Sequence, residues 1–149
     1  MLAFEVMTAS PTTVSGADSI QRAAQLMAQI DVGALPVVED GKLAGIITDR
    51  DIVVRHTAHG ESRDCRVSDH MTVRDIQVVH PMTDVNDVIG RMEHYQVRRI
   101  PVVDDTGKLV GIIAQADIAR HLIHPDVYKL GELIAGISTP HTLQLQMHS

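Results

Sequence analysis

Tryptophan is absent from this 149-residue chain, which carries one phenylalanine, two tyrosines and one cysteine. With 44% of residues hydrophobic but so few rings, the core has to be built from Val, Ile, Leu, Ala and Met. A lone Cys65 excludes an internal disulfide framework and fits a reducing compartment. No apolar run approaches the roughly 18–20 residues that span a bilayer. The opening MLAFEVMTASP has an early acid and no basic stretch, so it does not read as a signal peptide, and a soluble cytoplasmic protein is expected. A formal net charge of −6 argues against a general nucleic-acid binder, whose affinity rests on neutralising phosphates. The chain lacks GxGxxG and GxxxxGK[ST] phosphate loops, a GxSxG elbow and HExxH. No nucleophile with its base and no acid–base pair can be assembled, so an enzyme is not expected.

What is present is a duplication. VGALPVVEDGKLAGIITDRDI runs from Val32 to Ile52, and VRRIPVVDDTGKLVGIIAQADI runs from Val97 to Ile118. With Thr106 as one inserted residue, 13 of the 21 matched positions are identical. Upstream, Ile20, Ala23, Ala24 and Met27 meet Val85, Val88, Ile89 and Met92, at the i, i+3, i+4, i+7 spacing of one helical face. Met7-Thr8 is echoed by Met71-Thr72, and Thr13-Val14 by Val78-Val79.

Each half thus carries a short β-prone piece (Thr12 to Val14 in the first), then an amphipathic helix, expected from about Asp18 to Ile30 with Ser15 or Asp18 as cap. Two apolar runs joined by Asp-Gly follow, a strong hairpin signal, with Asp105-Thr106-Gly107 as the longer version in the copy. A second helix is expected from about Asp49 to Ala58, and from Gln115 to Ile123. The fold class is α/β (α+β): tandem β-α-β-β-α repeats packed as a pseudo-twofold pair, because a half of about 60 residues is marginal alone. The expected domains are residues 3–60 and 67–124, with a polar linker at 61–66 and a C-terminal helix and frayed tail at 125–149.

The sequence apolar-Pro-Val-Val, Asp-Gly-Lys-Leu, Gly-Ile-Ile, then Asp-Ile at a helix start resembles the CBS domain, named after cystathionine β-synthase. Both copies have it, each with an upstream Met-Thr, over residues of about 3 to 123. GALPV, TDRDIV, YQVRRIPV and ADIARHL resemble small stand-alone bacterial CBS pairs, the hypoxic response proteins among them. The resemblance implies a regulatory pair with two clefts, often dimeric, binding adenosine-containing ligands (AMP, ADP, ATP, S-adenosylmethionine, sometimes NAD) with no cofactor required.

Thr48-Asp49-Arg50-Asp51 admits two readings. As a capping box, Thr48 and Asp51 satisfy free backbone N–H groups at the helix start. By family resemblance, Asp51 accepts from both ribose hydroxyls and Thr48 meets a phosphate; a carboxylate suits a diol because it offers acceptors and no donors. In the copy, Asp117 is retained while Ala114 replaces the threonine, so the clefts are expected to be unequal. Family analogy places the base between Thr13-Val14 and Gly33-Ala34-Leu35-Pro36, and in the copy between Val79 and Arg98-Arg99-Ile100-Pro101. Leu35, Val37, Ile100 and Val102 also read as ordinary core. Arg98 and Arg99 are either solvated or forks for phosphate, and Arg50 lies beside the ribose position.

No metal site is assigned. His94, His121 and His124 are the histidines that helical spacing could gather, but Pro125 breaks the helix and no cysteine joins them. Cys65 lies near Arg63 and Arg66, which are expected to lower its pKa slightly. The expected partners are an adenine nucleotide, a second copy of the chain and an unknown protein, with no nucleic acid and no membrane. The rival reading is a ligand-free interaction module that dimerises and docks on another protein.

Overall fold

The computed structural model describes residues 1–122. The expected C-terminal helix, the tail and His124 lie outside the described residues. Among those described, no helix is long and apolar enough to cross a membrane.

The chain is a mixture of helix and strand in two compact units, and the leading segments of the repeats are exchanged between them. The first-repeat unit holds Pro11–Ile76 and Asp105–Leu109; the second-repeat unit holds Met1–Ser10, Gln77–Asp104 and residues from Val110 on. The spans 3–60 and 67–124 are runs of sequence, whereas in space residues 67–76 complete the first-repeat unit and residues 1–10 the second.

In the first-repeat unit, Val14 forms a single-residue parallel bridge to Val37. Helix α2 (Ile20–Ile30) follows and buries Ile20, Ala23 and Met27. Its cap is Ser19, whose side chain accepts from Arg22 N–H at 3.0 Å. Neither Ser15 nor Asp18 does this, since Asp18 turns its carboxylate back to Ser15 N–H at 2.8 Å. Strands β2 (Ala34–Glu39) and β3 (Lys42–Thr48) pair antiparallel with Glu39 opposite Lys42. The two residues between them, Asp40 and Gly41, have φ of 51° and 79°, as a tight primed hairpin turn requires.

The second-repeat unit repeats this order. Helix α1 (Ala3–Val6) and strand β1 (Thr8–Ala9) come from the N-terminus. Helix α4 (Val85–Tyr95) is capped by Asp84, and strands β4 (Arg99–Val103) and β5 (Leu109–Ala114) lead into α5 (Gln115–Leu122). Its three-stranded sheet runs β1-β5-β4, with Thr8 opposite Ile112 and Ala9 opposite Gly111. The counterpart in the first-repeat unit is a bridge from Thr72, after the short helix α3 (Val67–His70), to Ile46. The glycine of each Gly-Ile-Ile makes room for this crossing. A Cβ on Gly45 would stand 2.8 Å from Met71 Sδ and 2.9 Å from Thr72 O, and one on Gly111 would strike Met7 Sδ. The echoed Met-Thr is thus the segment that docks on the glycine of the other copy.

The expected Asp49–Ala58 helix is not α-helical throughout. Asp51–His56 is wound as a π-helix and Thr57–His59 as a 3-10 turn, whereas α5 is regular. Each unit has its own aliphatic core. One gathers Val14, Leu35, Val37, Ile47 and Val67; the other gathers Val79, Val88, Met92, Ile100, Val102, Ile113 and Ile118.

Candidate functional site

The two aspartates singled out by the repeat hold equivalent places. Each follows the second hairpin strand by three residues, and each is buried, Asp51 at 7% exposure and Asp117 at 6%. Asp51 Oδ2 accepts from Thr48 N–H at 2.9 Å, and Asp117 Oδ2 accepts from Ala114 N–H at 2.8 Å. The other oxygen meets an arginine. Arg55 Nε stands 3.5 Å from Asp51 Oδ1, and Arg120 Nη2 pairs with Asp117 Oδ1. The partner falls at i+4 in the π-wound segment and at i+3 in the regular helix. Both arginine side chains are more than half exposed, so each carboxylate has one oxygen fixed by backbone and one covered by a solvent-facing cation.

The units differ at the last residue of the strand, three before each aspartate. In the first, Asp51 N–H donates to Thr48 Oγ1 at 3.0 Å, which closes a reciprocal capping box. In the second, Ala114 has no hydroxyl, and only the bond to the carboxylate remains. The base-side residues are placed in parallel. Val14 N–H donates to Pro36 O at 3.1 Å and Val79 N–H to Pro101 O at 3.1 Å. Leu35, Pro36, Ile100 and Pro101 are buried, Ala34 and Arg99 are half-buried, and Thr13, Arg50 and Arg98 are exposed. Gly33 O accepts from Asp49 N–H at 2.9 Å and Arg98 O from Gln115 N–H at 2.9 Å, which ties the start of each hairpin to the start of each closing helix. The Asp49 carboxylate lies over Gly33, where a Cβ would be 2.9 Å from Oδ2.

Of the histidines considered from helical spacing, His124 lies outside the described residues, and neither His94 nor His121 belongs to a cluster of potential ligands among the described ones. His121 Nδ1 is 2.8 Å from Asp117 O, and His94 stacks edge-on against Tyr95. Among the described residues, the potential ligands that do converge are His56, Glu61, Cys65 and His70, which sequence reasoning missed. The available signal was the repeat itself: His56 aligns with Leu122 and His70 with Val6, so each histidine replaces a core aliphatic. The expectation for Cys65 is reversed. Desolvation first, then the hydrogen bond and charge of Glu61 and the charge of Asp69, push its pKa up, against a smaller lowering by a Ser62 backbone hydrogen bond. Neither Arg63 nor Arg66 contributes.

The CBS-domain family model matches residues 3–55 and 67–124. CBS domain-containing protein YhcV of Bacillus subtilis is 44% identical over 115 residues, covering 77% of this chain and 81% of that protein. The crystal structure of Hypoxic Response Protein I with two coordinated zinc ions is 36% identical, covers 81% of this chain and 98% of its own, and superposes with a TM-score of 0.74. The CBS domain pair of protein MJ0100, in complex with 5′-methylthioadenosine and S-adenosyl-L-methionine, is 32% identical, covers 82% and 95%, and has a TM-score of 0.72. The duplicated hairpin, the two buried aspartates and these matches together place the chain in the CBS-domain family, as a tandem pair.

Proposed function

We propose that the chain is a regulatory module that binds an adenosine-containing ligand (AMP, ADP, ATP or S-adenosylmethionine) and is not itself a catalyst. Asp51 and Asp117 receive the ribose hydroxyls. The observation that carries this reading is the pair of buried carboxylates, each with one oxygen held by a backbone N–H and the other paired with an exposed arginine. Such an arginine, itself exposed, can turn outward to a phosphate while a ribose hydroxyl takes its place on Oδ1, so the buried carboxylate is never left without a partner. Arg98 and Arg99 in the second unit, and the Thr48 hydroxyl in the first, are further phosphate donors. Backbone at Gly33-Ala34 and Val14, and at Arg98-Arg99 and Val79, offers the base its hydrogen bonds, beside Leu35 and Ile100. The ligands of the MJ0100 pair, both built on adenosine, support the same class. Ligand state would be passed on through contacts with a second copy or another protein, for which exposed Val53 and Val54 are apolar surface.

A second reading has one observation in its favour. The Thr48–Asp51 box is closed reciprocally by the backbone N–H groups of its own two residues, as expected of a capping device in a ligand-free interaction module. Thermal melting separates the two. With AMP, ADP, ATP or S-adenosylmethionine at a hundredfold excess over Kd, the midpoint should rise by about 5 °C or more. No shift with any of the four at millimolar concentration would leave the interaction module.

A further inference from the structure

Among the described residues, the first-repeat unit contains a constellation that the second lacks. His56 ends the π-wound segment, His70 ends α3, and Glu61 and Cys65 come from the loop between them. One ligand atom from each of the four lies within 4.8 Å of all the others.

The repeat supplies an internal control. In the second-repeat unit, the residues aligned with His56, His70 and Cys65 are Leu122, Val6 and Met1. Leu122 and Val6 are buried in its aliphatic core, at 8% and 2% exposure. The fold needs only aliphatic side chains at these two places. His56 and His70 are nonetheless buried to 7% exposure each, their rings edge-to-face with centroids 5.2 Å apart. Burying an imidazole where an aliphatic side chain serves the fold is costly unless its nitrogens are satisfied.

They are not fully satisfied from within the protein. His56 Nε2 lies 2.5 Å from Ser62 O, and a carbonyl can only accept, so the N–H is on Nε2. That leaves Nδ1, a buried nitrogen with no hydrogen-bond partner. His70 Nε2 stands 2.6 Å from Glu61 Oε2, yet the contact lacks hydrogen-bond geometry and the nitrogen has no hydrogen-bond partner. The same carboxylate oxygen lies 3.6 Å from Cys65 Sγ. A histidine whose tautomer is fixed by a carbonyl and whose other nitrogen is left unpartnered, in a cluster with a cysteine, a carboxylate and a second histidine, has the usual surroundings of a metal ligand.

We propose that His56, Glu61, Cys65 and His70 form a zinc site in the first-repeat unit, separate from the aspartate at which the nucleotide is placed. Two imidazoles, one thiolate and one carboxylate make a borderline-soft, four-ligand set that suits tetrahedral Zn²⁺ and not the hard, all-oxygen cations. Zinc–ligand bonds of roughly 2.0–2.3 Å imply ligand–ligand edges of about 3.3–3.8 Å, so the present separations need adjustments of about an ångström. The loop can supply them, because Glu61 is exposed. On binding, Cys65 loses its proton to solvent and the sulfur's electron pair goes to the metal. The ion would clip the loop after the π-wound segment to α3, whose end already accepts from Arg55 through His70 O at 3.4 Å.

The test is titration of the full-length, tag-free protein, stripped with chelator, with Zn²⁺ against a competing chromophoric chelator, and with Co²⁺ followed by absorption. One Zn²⁺ per chain, a rise of about 5 °C in the melting midpoint, and a cobalt spectrum with thiolate charge transfer and tetrahedral visible bands are expected. Cys65→Ser should abolish the charge-transfer band and weaken zinc binding at least ~100-fold, and Glu61→Gln should weaken it ~10-fold. His56→Leu installs the side chain that the second repeat uses, so it should fold without metal while losing tight zinc binding. Failure to bind zinc stoichiometrically, or unchanged affinity in both Cys65→Ser and His56→Leu, would overturn the site. Zinc binding is read independently of any nucleotide, so its failure leaves the nucleotide proposal standing.

Discussion

Thr48 and Asp51 hold each other in a closed pair. The Asp51 N–H donates to Thr48 Oγ1 at 3.0 Å, while the Thr48 N–H donates to Asp51 Oδ2 at 2.9 Å. The second unit keeps only the latter bond, between Ala114 and Asp117. The threonine hydroxyl accepts in this pair, so its own proton is left to donate to a phosphate.

Thr48→Ala converts the first unit to the pattern of the second. Loss of the cap should cost about 1 kcal/mol in denaturant unfolding. On the ligand account it should also weaken AMP or ATP about tenfold, a hydrogen bond's worth, while S-adenosylmethionine, which has no phosphate, is unaffected. A stability loss with all four affinities unchanged would make Thr48 a cap and nothing more.

Two glycines should respond to alanine in opposite directions. At Gly45 a Cβ would meet Met71 Sδ and the Thr72 carbonyl at under 3 Å, in the crossing that docks residues 71–72 on β3. Gly45→Ala should therefore destabilise by about 1–3 kcal/mol, as overpacking does. Gly90 lies within α4 and its Cβ would meet nothing within 4 Å. Gly90→Ala should stabilise by about 0.5–1 kcal/mol through helix propensity. Chemical denaturation of both variants checks the signs.

The Cys65 thiol sits beside acids whose influence, together with desolvation, raises its pKa. A raised thiol pKa means less thiolate at a given pH, so metal-free native protein at pH 8.5 should be alkylated more slowly than the same chain in urea. The sign for stability follows. The native state holds this proton more tightly than the unfolded chain does, so the contribution is present below the unfolded pKa and is lost as pH rises through the folded one. Alkylation faster in the native protein would mean that Arg63 and Arg66 dominate after all.

Much of the fold was legible because the repeat marks equivalent positions twice. The Asp40-Gly41 turn, the apolar faces of α2 and α4 and the Pro-Val-Val strands all lie where local chemistry puts them. The echo of Met7-Thr8 in Met71-Thr72 identified one element twice but not the copy on which it packs. That is settled by Gly45 and Gly111, whose missing side chains matter only once the crossing segment is in place. The π winding of Asp51–His56 left no periodic trace, since its apolar pattern fits an α-helix as well. The histidines were sought at helical spacing, at His94, His121 and His124. Reading the repeat column by column, with Leu122 beneath His56 and Val6 beneath His70, was the signal for the cluster. For the proposed nucleotide site, sequence located the two aspartates and their inequality, but not the arginines that cover them, because Arg55 and Arg120 occupy different positions in the repeat.

The most direct test of the account is isothermal titration of AMP, ADP, ATP and S-adenosylmethionine into wild type, Asp51→Asn, Asp117→Asn and the double variant. Asparagine keeps a carbonyl acceptor for the Thr48 or Ala114 N–H, so the fold is retained while the charged second acceptor is removed. The account predicts that each single change weakens one binding event by about 10–100-fold and that the double variant weakens both. Binding by the double variant at wild-type affinity and stoichiometry would contradict it.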